Sequence, residues 1–143
     1  MTFGSFAIPV AWAILGAAAG VLWMRFWGDS PSHDRLTPHA VALFVAAAVY
    51  PVYAGWNGVL AERIPDLIAV GVFATFAWIG RFGGRFVLGL GWCFHAVYDL
   101  GIHLIAGERL MPPVYPSLCI GFDLVVGAWL LRGAWRVQIA SRS

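Results

Sequence analysis

Long apolar runs broken by short charged intervals set the rhythm of this chain. They leave five pieces, residues 3–27, 38–59, 65–80, 86–105 and 116–131. Each is close to the roughly 20 residues that carry a helix across a bilayer. The pattern therefore predicts an all-α, polytopic membrane bundle of about five transmembrane helices, with residues 1–143 forming a single integral membrane domain.

The punctuation agrees with this division. Helix 1 contains Gly16-Ala17-Ala18-Ala19-Gly20, a face of small residues that lets another helix approach closely. Trp23, Arg25 and Trp27 gather at its end, where amphipathic rings favour the headgroup level. Thr37-Pro38 reads as the start of helix 2, with a hydroxyl at the cap and proline at the first helical position. Pro51 is expected to kink that helix, and Tyr50, Tyr53, Trp56 and Asn57 collect around and beyond it. They form either an aromatic wall for a substrate or, more simply, an interfacial belt. Ile64-Pro65-Asp66 opens helix 3, with the acid placed where the helix dipole favours it, and Thr75 is the internal polar group. Arg81-Phe-Gly-Gly-Arg85 makes a short turn, residues 107–113 connect helices 4 and 5, and residues 132–143 read as a polar, basic tail.

Composition sharpens the class. The chain is 61% hydrophobic and 11% charged, with a mean hydropathy of +0.79, far outside the soluble globular range. The formal charge of +2 comes from nine arginines and no lysine. No interval gathers more than two or three of them, so nucleic acid is not an expected partner. Orientation is the better reading. With five spans, Arg25, Arg35, Arg81, Arg85, Arg132, Arg136 and Arg142 share one side, and only Arg63 and Arg109 fall on the other. That bias places the N-terminus outside and the C-terminus in the cytoplasm of a cytoplasmic (inner) membrane. The first run has no preceding basic residue and is as long as a full span, so it is expected to be a retained helix and not a cleaved signal. Cys93 and Cys119 both fall inside spans, which argues for thiols and against a disulfide framework.

The candidate chemistry lies in the last two runs. Helix 4 carries His95, Asp99 and His103 at steps of four, and helix 5 carries Tyr115, Cys119 and Asp123 at the same step. Residues four apart share one helix face, so each trio is a stripe. A hairpin turning near Arg109 sets His95 opposite Asp123, Asp99 opposite Cys119 and His103 opposite Tyr115. Ionisable groups at membrane depth cost about 2.5–3.5 kcal/mol even on lenient scales. No arginine lies inside a span to balance Asp99 and Asp123, so they are protonated, paired with imidazolium, or bound to a metal.

Imidazole, carboxylate and thiolate are the usual ligands of zinc, iron or copper, and the expected cofactor is a divalent transition metal. His95 and His103 stand about 12 Å apart along the axis and cannot share one ion with Asp99. The ligand sets are His95, Asp99 and Asp123, with or without Cys119, or else Asp99, His103 and Cys119. His95, Asp99 and Asp123 are the candidate catalytic groups, and Trp92, Tyr98 and Tyr115 are candidates for substrate contact. Cys93, about 200° around the helix from His95, is expected to face away. His33, Glu62 and Glu108 read as solvated loop residues. Two alternatives stay open: polar contacts that merely lock helices 4 and 5 together, and a relay for protons or ions.

On these residues the hairpin resembles the domain-of-unknown-function 6010 family of small bacterial integral membrane proteins. The resemblance is carried by Gly91-Trp92, His95-Ala-Val-Tyr-Asp99 with His103, Pro113-Val-Tyr-Pro116, Cys119 and Phe122-Asp123. It reaches weakly back to Ala48-Val-Tyr50, and Tyr98 and Ile102 stand where the family has tryptophan and a further histidine. It implies which residues matter but no activity. The expected function is a metal-dependent membrane enzyme acting on a lipid or small apolar substrate. The rivals are a small proton-coupled transporter or carrier and a non-catalytic subunit of a larger membrane complex. Beyond the lipid bilayer, expected partners are a hydrophobic small molecule and further copies or subunits.

Overall fold

The computed structural model describes residues 4–28, 36–59, 63–106, 112 and 114–140, without the side chains of 4–8, 103, 105 and 106. Five helices account for nearly all of them: α1 Gly4–Trp27, α2 Leu36–Trp56, α3 Ile64–Gly83, α4 Arg85–Ala106 and α5 Val114–Ala140. The all-α expectation holds. The spans Pro9–Trp27, Leu36–Trp56, Ile64–Gly83 and Val114–Ala140 are long and apolar enough to cross a membrane. α4, at 22 residues, has the length but also carries Arg85, His95, Asp99 and His103. Large apolar side chains such as Ile14, Val41, Val52, Ile68, Trp78 and Leu104 point outward from the bundle. A soluble monomer rarely shows so continuous an apolar surface, and this one marks a membrane protein.

Several boundaries differ from those expected. α5 does not end near residue 131 but continues to Ala140, so Arg132 and Arg136 belong to a helix and not to a tail. The stretch holds no proline, its single glycine, Gly133, does not end the helix, and arginine stems can lie along apolar surface while their charged heads reach water. α2 starts at Leu36, which puts Thr37 in the first turn instead of at the cap. Pro38 is tolerated there because first-turn N–H groups have no intrahelical acceptor. The same helix stops at Trp56 instead of 59 because Gly58 adopts a positive φ of 73°. Val59 N–H then donates to the Ala54 carbonyl (2.9 Å) and Gly58 N–H to that of Gly55 (3.2 Å), a glycine-dependent stop. α3 does not end at residue 80 with a turn over 81–85 but runs on to Gly83, so only Gly84, whose φ of 103° favours glycine, separates it from α4.

The packing order is α1 on α5, α5 on α4, α4 on α3 and α3 on α2, with α2 also touching α4. Glycines set the close approaches. A side chain at Gly16 would collide with the Leu118 carbonyl, and one at Gly121 with the Ala13 carbonyl, so the small-residue face of α1 does seat α5. Gly80 lets the Leu88 backbone in after the Gly84 turn, and Gly89 and Gly127 face each other between α4 and α5. These contacts also fix direction. α1 and α5 run parallel, as do α2 and α4, where Leu43 meets Gly91 and Tyr50 meets Asp99. α4 runs antiparallel to α3 and α5 and sits at the centre, enclosed on three sides. The core around it contains Leu43, Phe73, Leu88, Trp92, Val126 and Leu130.

Candidate metal centre

α4 faces α5 through a strip in which Ala96 and Trp92 pack as core, and His95 and Asp99 share that inner side at helical spacing. Asp123 comes from α5. The burial of the three is nearly complete, with relative exposures of 0% for His95 and Asp99 and 1% for Asp123. His95 Nδ1 lies 2.7 Å from Asp123 Oδ2 and 3.4 Å from Asp99 Oδ2. One potential ligand atom from each residue falls within 4.8 Å of the others. The first rung of the expected ladder is therefore present.

The surroundings bring in groups from other helices. Tyr50 of α2 donates its hydroxyl to Asp99 Oδ1 at 2.7 Å. Phe73 of α3 sets its ring edge-on to the His95 imidazole, with centroids 4.8 Å apart. Tyr98, beside the cluster on α4, donates to Asp66 Oδ1 of α3, and Asp66 is in turn paired with Arg63 at 2.5 Å. Tyr50 and Tyr98 meet edge to face, as do Tyr50 and Tyr115.

Two of the three cluster residues keep an orphaned atom. Among the described residues, His95 Nε2 and Asp99 Oδ2 have no hydrogen-bond partner, although both are fully buried. A buried polar atom left without a partner is costly and calls for an explanation; an ion beside His95 Nδ1 would meet Asp99 Oδ2, whereas His95 Nε2 points elsewhere and calls for a separate partner such as a water. The spacing bears on the choice. Two ligands bound tetrahedrally to one zinc ion stand roughly 3.3–3.5 Å apart. The separation of His95 Nδ1 and Asp99 Oδ2 already matches, whereas Asp123 is at hydrogen-bonding distance and must draw back by about half an ångström. One imidazole and two carboxylates with ligand atoms within 4.8 Å of one another could hold a divalent transition metal once they draw into its coordination geometry.

The other expected residues are distributed around this group. Cys119 is buried one turn from Asp123 on α5 and lies outside the three-residue cluster. The side chain of His103 is outside the described residues, and so is the loop carrying Glu108 and Arg109. Tyr115 donates to the Ala46 carbonyl of α2 at 3.1 Å. Trp92 is buried against Phe122, and its Nε1 has no partner among the described residues. Cys93 lies outside the cluster and packs against Gly127.

Sequence reasoning missed the role of Tyr50. It belongs neither to a belt nor to an open wall but to the core, while Tyr53 and Trp56 do point outward, the latter 90% exposed. A signal was available: Leu43, Ala47, Tyr50 and Ala54 recur at helical spacing, and the small residues mark the packed face. Asp66 likewise does more than complement a helix dipole. His39, too, is buried, and it accepts a hydrogen bond from Trp23 Nε1 at 2.9 Å.

No protein-family model matches this chain, and no match appears among curated proteins or solved structures.

Proposed function

We propose that this chain is a metal-dependent membrane enzyme whose α4–α5 hairpin holds a divalent transition metal through His95, Asp99 and Asp123. The observation that carries the reading is the orphaned, fully buried Asp99 Oδ2 set 3.4 Å from His95 Nδ1. Three protein ligands leave a coordination position for water or a substrate oxygen, and a metal so held supplies Lewis acidity or an activated water. Tyr50 orients Asp99, Phe73 fixes the imidazole plane, and the surrounding core excludes bulk water. A site this enclosed, set among apolar helices, favours a lipid or another small apolar substrate. The reading includes the cytoplasmic membrane as location, with the N-terminus outside, on the strength of the arginine bias. The resemblance to the domain-of-unknown-function 6010 family points to the same residues.

Elemental analysis of the detergent-purified protein beside His95→Ala and Asp99→Ala tests this. Wild type loaded in turn with zinc, iron and copper should retain close to one ion per chain of at least one metal, and both variants should lose it. Equal metal content in all three proteins under every loading refutes the site.

A proton-coupled carrier is the second reading, favoured by a specific observation. The polar cluster does not end at α4 and α5 but continues through Tyr50, and beside it Tyr98 leads through Asp66 to Arg63 near the α3 N-terminus. Proton flux into liposomes carrying the metal-free protein supports that reading, and its absence removes it.

A further inference from the structure

At the end of the bundle where α1 and α5 finish and α4 begins, a cavity of about 340 Å³ opens between the helices. Three arginines line it, Arg85 from the first residue of α4 and Arg132 and Arg136 from one face of α5. Gly133 makes room: a Cβ there would stand 2.8 Å from Arg85 Nη1, so the guanidinium lies where a side chain would have been. We propose that this cavity is a binding site for the phosphate of an anionic phospholipid headgroup.

Several independent features converge on that ligand. Arg132 and Arg136 sit four apart on a helix, where like charges repel each other, and an anion between them removes the repulsion. Guanidinium groups match phosphate oxygens in a planar, two-pronged fashion that favours them over other cations for this task. The end as a whole is cationic in sequence, with seven arginines on this side of the expected topology against the two aspartates, Asp29 and Asp34, of the α1–α2 connection, which lies outside the described residues. The cavity is within the size range of small-molecule sites, about 300–1,000 Å³, and exceeds what a bare phosphate fills.

The border of the cavity decides between a lipid and a soluble anion. Trp129 and Val137 flank the arginines and are themselves exposed, and Trp135 lies on the same stretch of helix. A charged recess rimmed by outward-facing tryptophan and aliphatic groups suits an occupant with an anionic head and an apolar tail. The extension of α5 to Ala140 is what makes this possible. In a disordered tail the two arginines would share no fixed face.

The test is native mass spectrometry of the full chain released from detergent with added phosphatidylglycerol, phosphatidylcholine or inorganic phosphate. Wild type should retain phosphatidylglycerol in preference to phosphatidylcholine, and the retention should fall with added salt. Arg132→Gln with Arg136→Gln should weaken phosphatidylglycerol binding by roughly 30-fold, while Arg132→Lys with Arg136→Lys should keep most of it. Metal content of the same samples separates this site from the α4–α5 cluster, because the inference does not depend on it. Equal retention of the two lipids by wild type overturns the proposal without any variant needing to fold. Displacement of phosphatidylglycerol by equimolar inorganic phosphate overturns the lipid assignment and makes the free anion the ligand.

Discussion

Replacing Tyr50 by phenylalanine removes one hydroxyl from the centre of the molecule and little else. The ring contacts with Tyr98 and Tyr115, both at 5.7 Å between centroids, can survive unchanged. What disappears is the 2.7 Å hydrogen bond to Asp99 Oδ1, and Asp99 Oδ2 has no hydrogen-bond partner among the described residues to begin with. Asp99 would then be a buried carboxyl group left with only the 3.4 Å contact to His95 Nδ1. A neutral hydrogen bond contributes about 0.5–1.5 kcal/mol and one to a charged group about 1.5–3 kcal/mol. Inside bilayers the measured average is lower, about 0.6 kcal/mol, with a maximum near 1.7 kcal/mol.

These ranges allow the experiment to report the charge on Asp99. His95 Nδ1 lies nearer to Asp123 Oδ2, at 2.7 Å, than to Asp99 Oδ2, at 3.4 Å, so an imidazolium there would balance Asp123 first. The second carboxylate must be met by a donor such as Tyr50 or by a cation. We expect Tyr50→Phe to cost about 1.5 kcal/mol in the metal-free protein, near the upper end of the membrane range. In an Asp99→Asn background, where the acceptor is uncharged, the same replacement should cost about 0.6 kcal/mol. Reversible unfolding in mixed micelles, with denaturing detergent as the titrant, measures both. Losses that agree within about 0.3 kcal/mol in the two backgrounds refute a charged Asp99. No loss in either refutes the hydrogen bond itself.

Three further predictions use the same unfolding measurement or simple labelling. Gly121→Leu should destabilise the protein by about 1–3 kcal/mol or prevent α1 from docking on α5, whereas Gly71→Ala, which meets open space, should change stability by no more than about 1 kcal/mol. Arg63→Gln should cost about 1–3 kcal/mol because it leaves Asp66, almost fully buried, with the Tyr98 hydroxyl as its remaining partner in the network; the double variant Arg63→Gln with Asp66→Asn should recover part of that loss. Cys119 is buried, so it should resist a membrane-impermeant maleimide in the folded protein and react only after full denaturation; rapid labelling without unfolding would contradict the packing of α5.

The sequence was most legible where the answer depended on one helix at a time. Apolar runs located the five helices to within a few residues at most ends, and the Gly16–Gly20 face announced a close neighbour. The His95–Asp123 pairing was also readable, because two adjacent helices joined by a short connection must meet and a four-residue step fixes which side chains lie on each face. Partners across non-adjacent helices were not readable. Tyr50 meets Asp99, and Tyr98 meets Asp66, only because α4 is placed between α2, α3 and α5, and periodicity names a face without naming what covers it. The length of α5 escaped for a different reason. Charge at Arg132 and a glycine at 133 suggest a helix end, yet arginine is a good helix former and a single glycine costs only about 1 kcal/mol.

The placement of α4 also explains how the most polar helix can belong to a membrane bundle at all. A scale that averages hydropathy along a segment treats every residue as if it faced lipid. In α4 the two central polar groups do not. His95 and Asp99 point into the bundle, while Phe94, Val97, Leu100 and Leu104 form the opposite, exposed face, each 45–73% accessible. The lipid-facing half is therefore as apolar as that of the other helices, and the cost of the ionisable half falls on contacts with α2 and α5 instead of on insertion. Such a helix is stable across a bilayer only when its neighbours are in place. This couples the site to assembly: a change such as Gly121→Leu that loosens α1 from α5 acts on α4 through α5, and on the proposed function it should reduce metal retention although residue 121 lies outside the His95, Asp99 and Asp123 group. A variant that loses the α1–α5 contact yet keeps full metal content would separate the two and show that α4 holds its polar face without support.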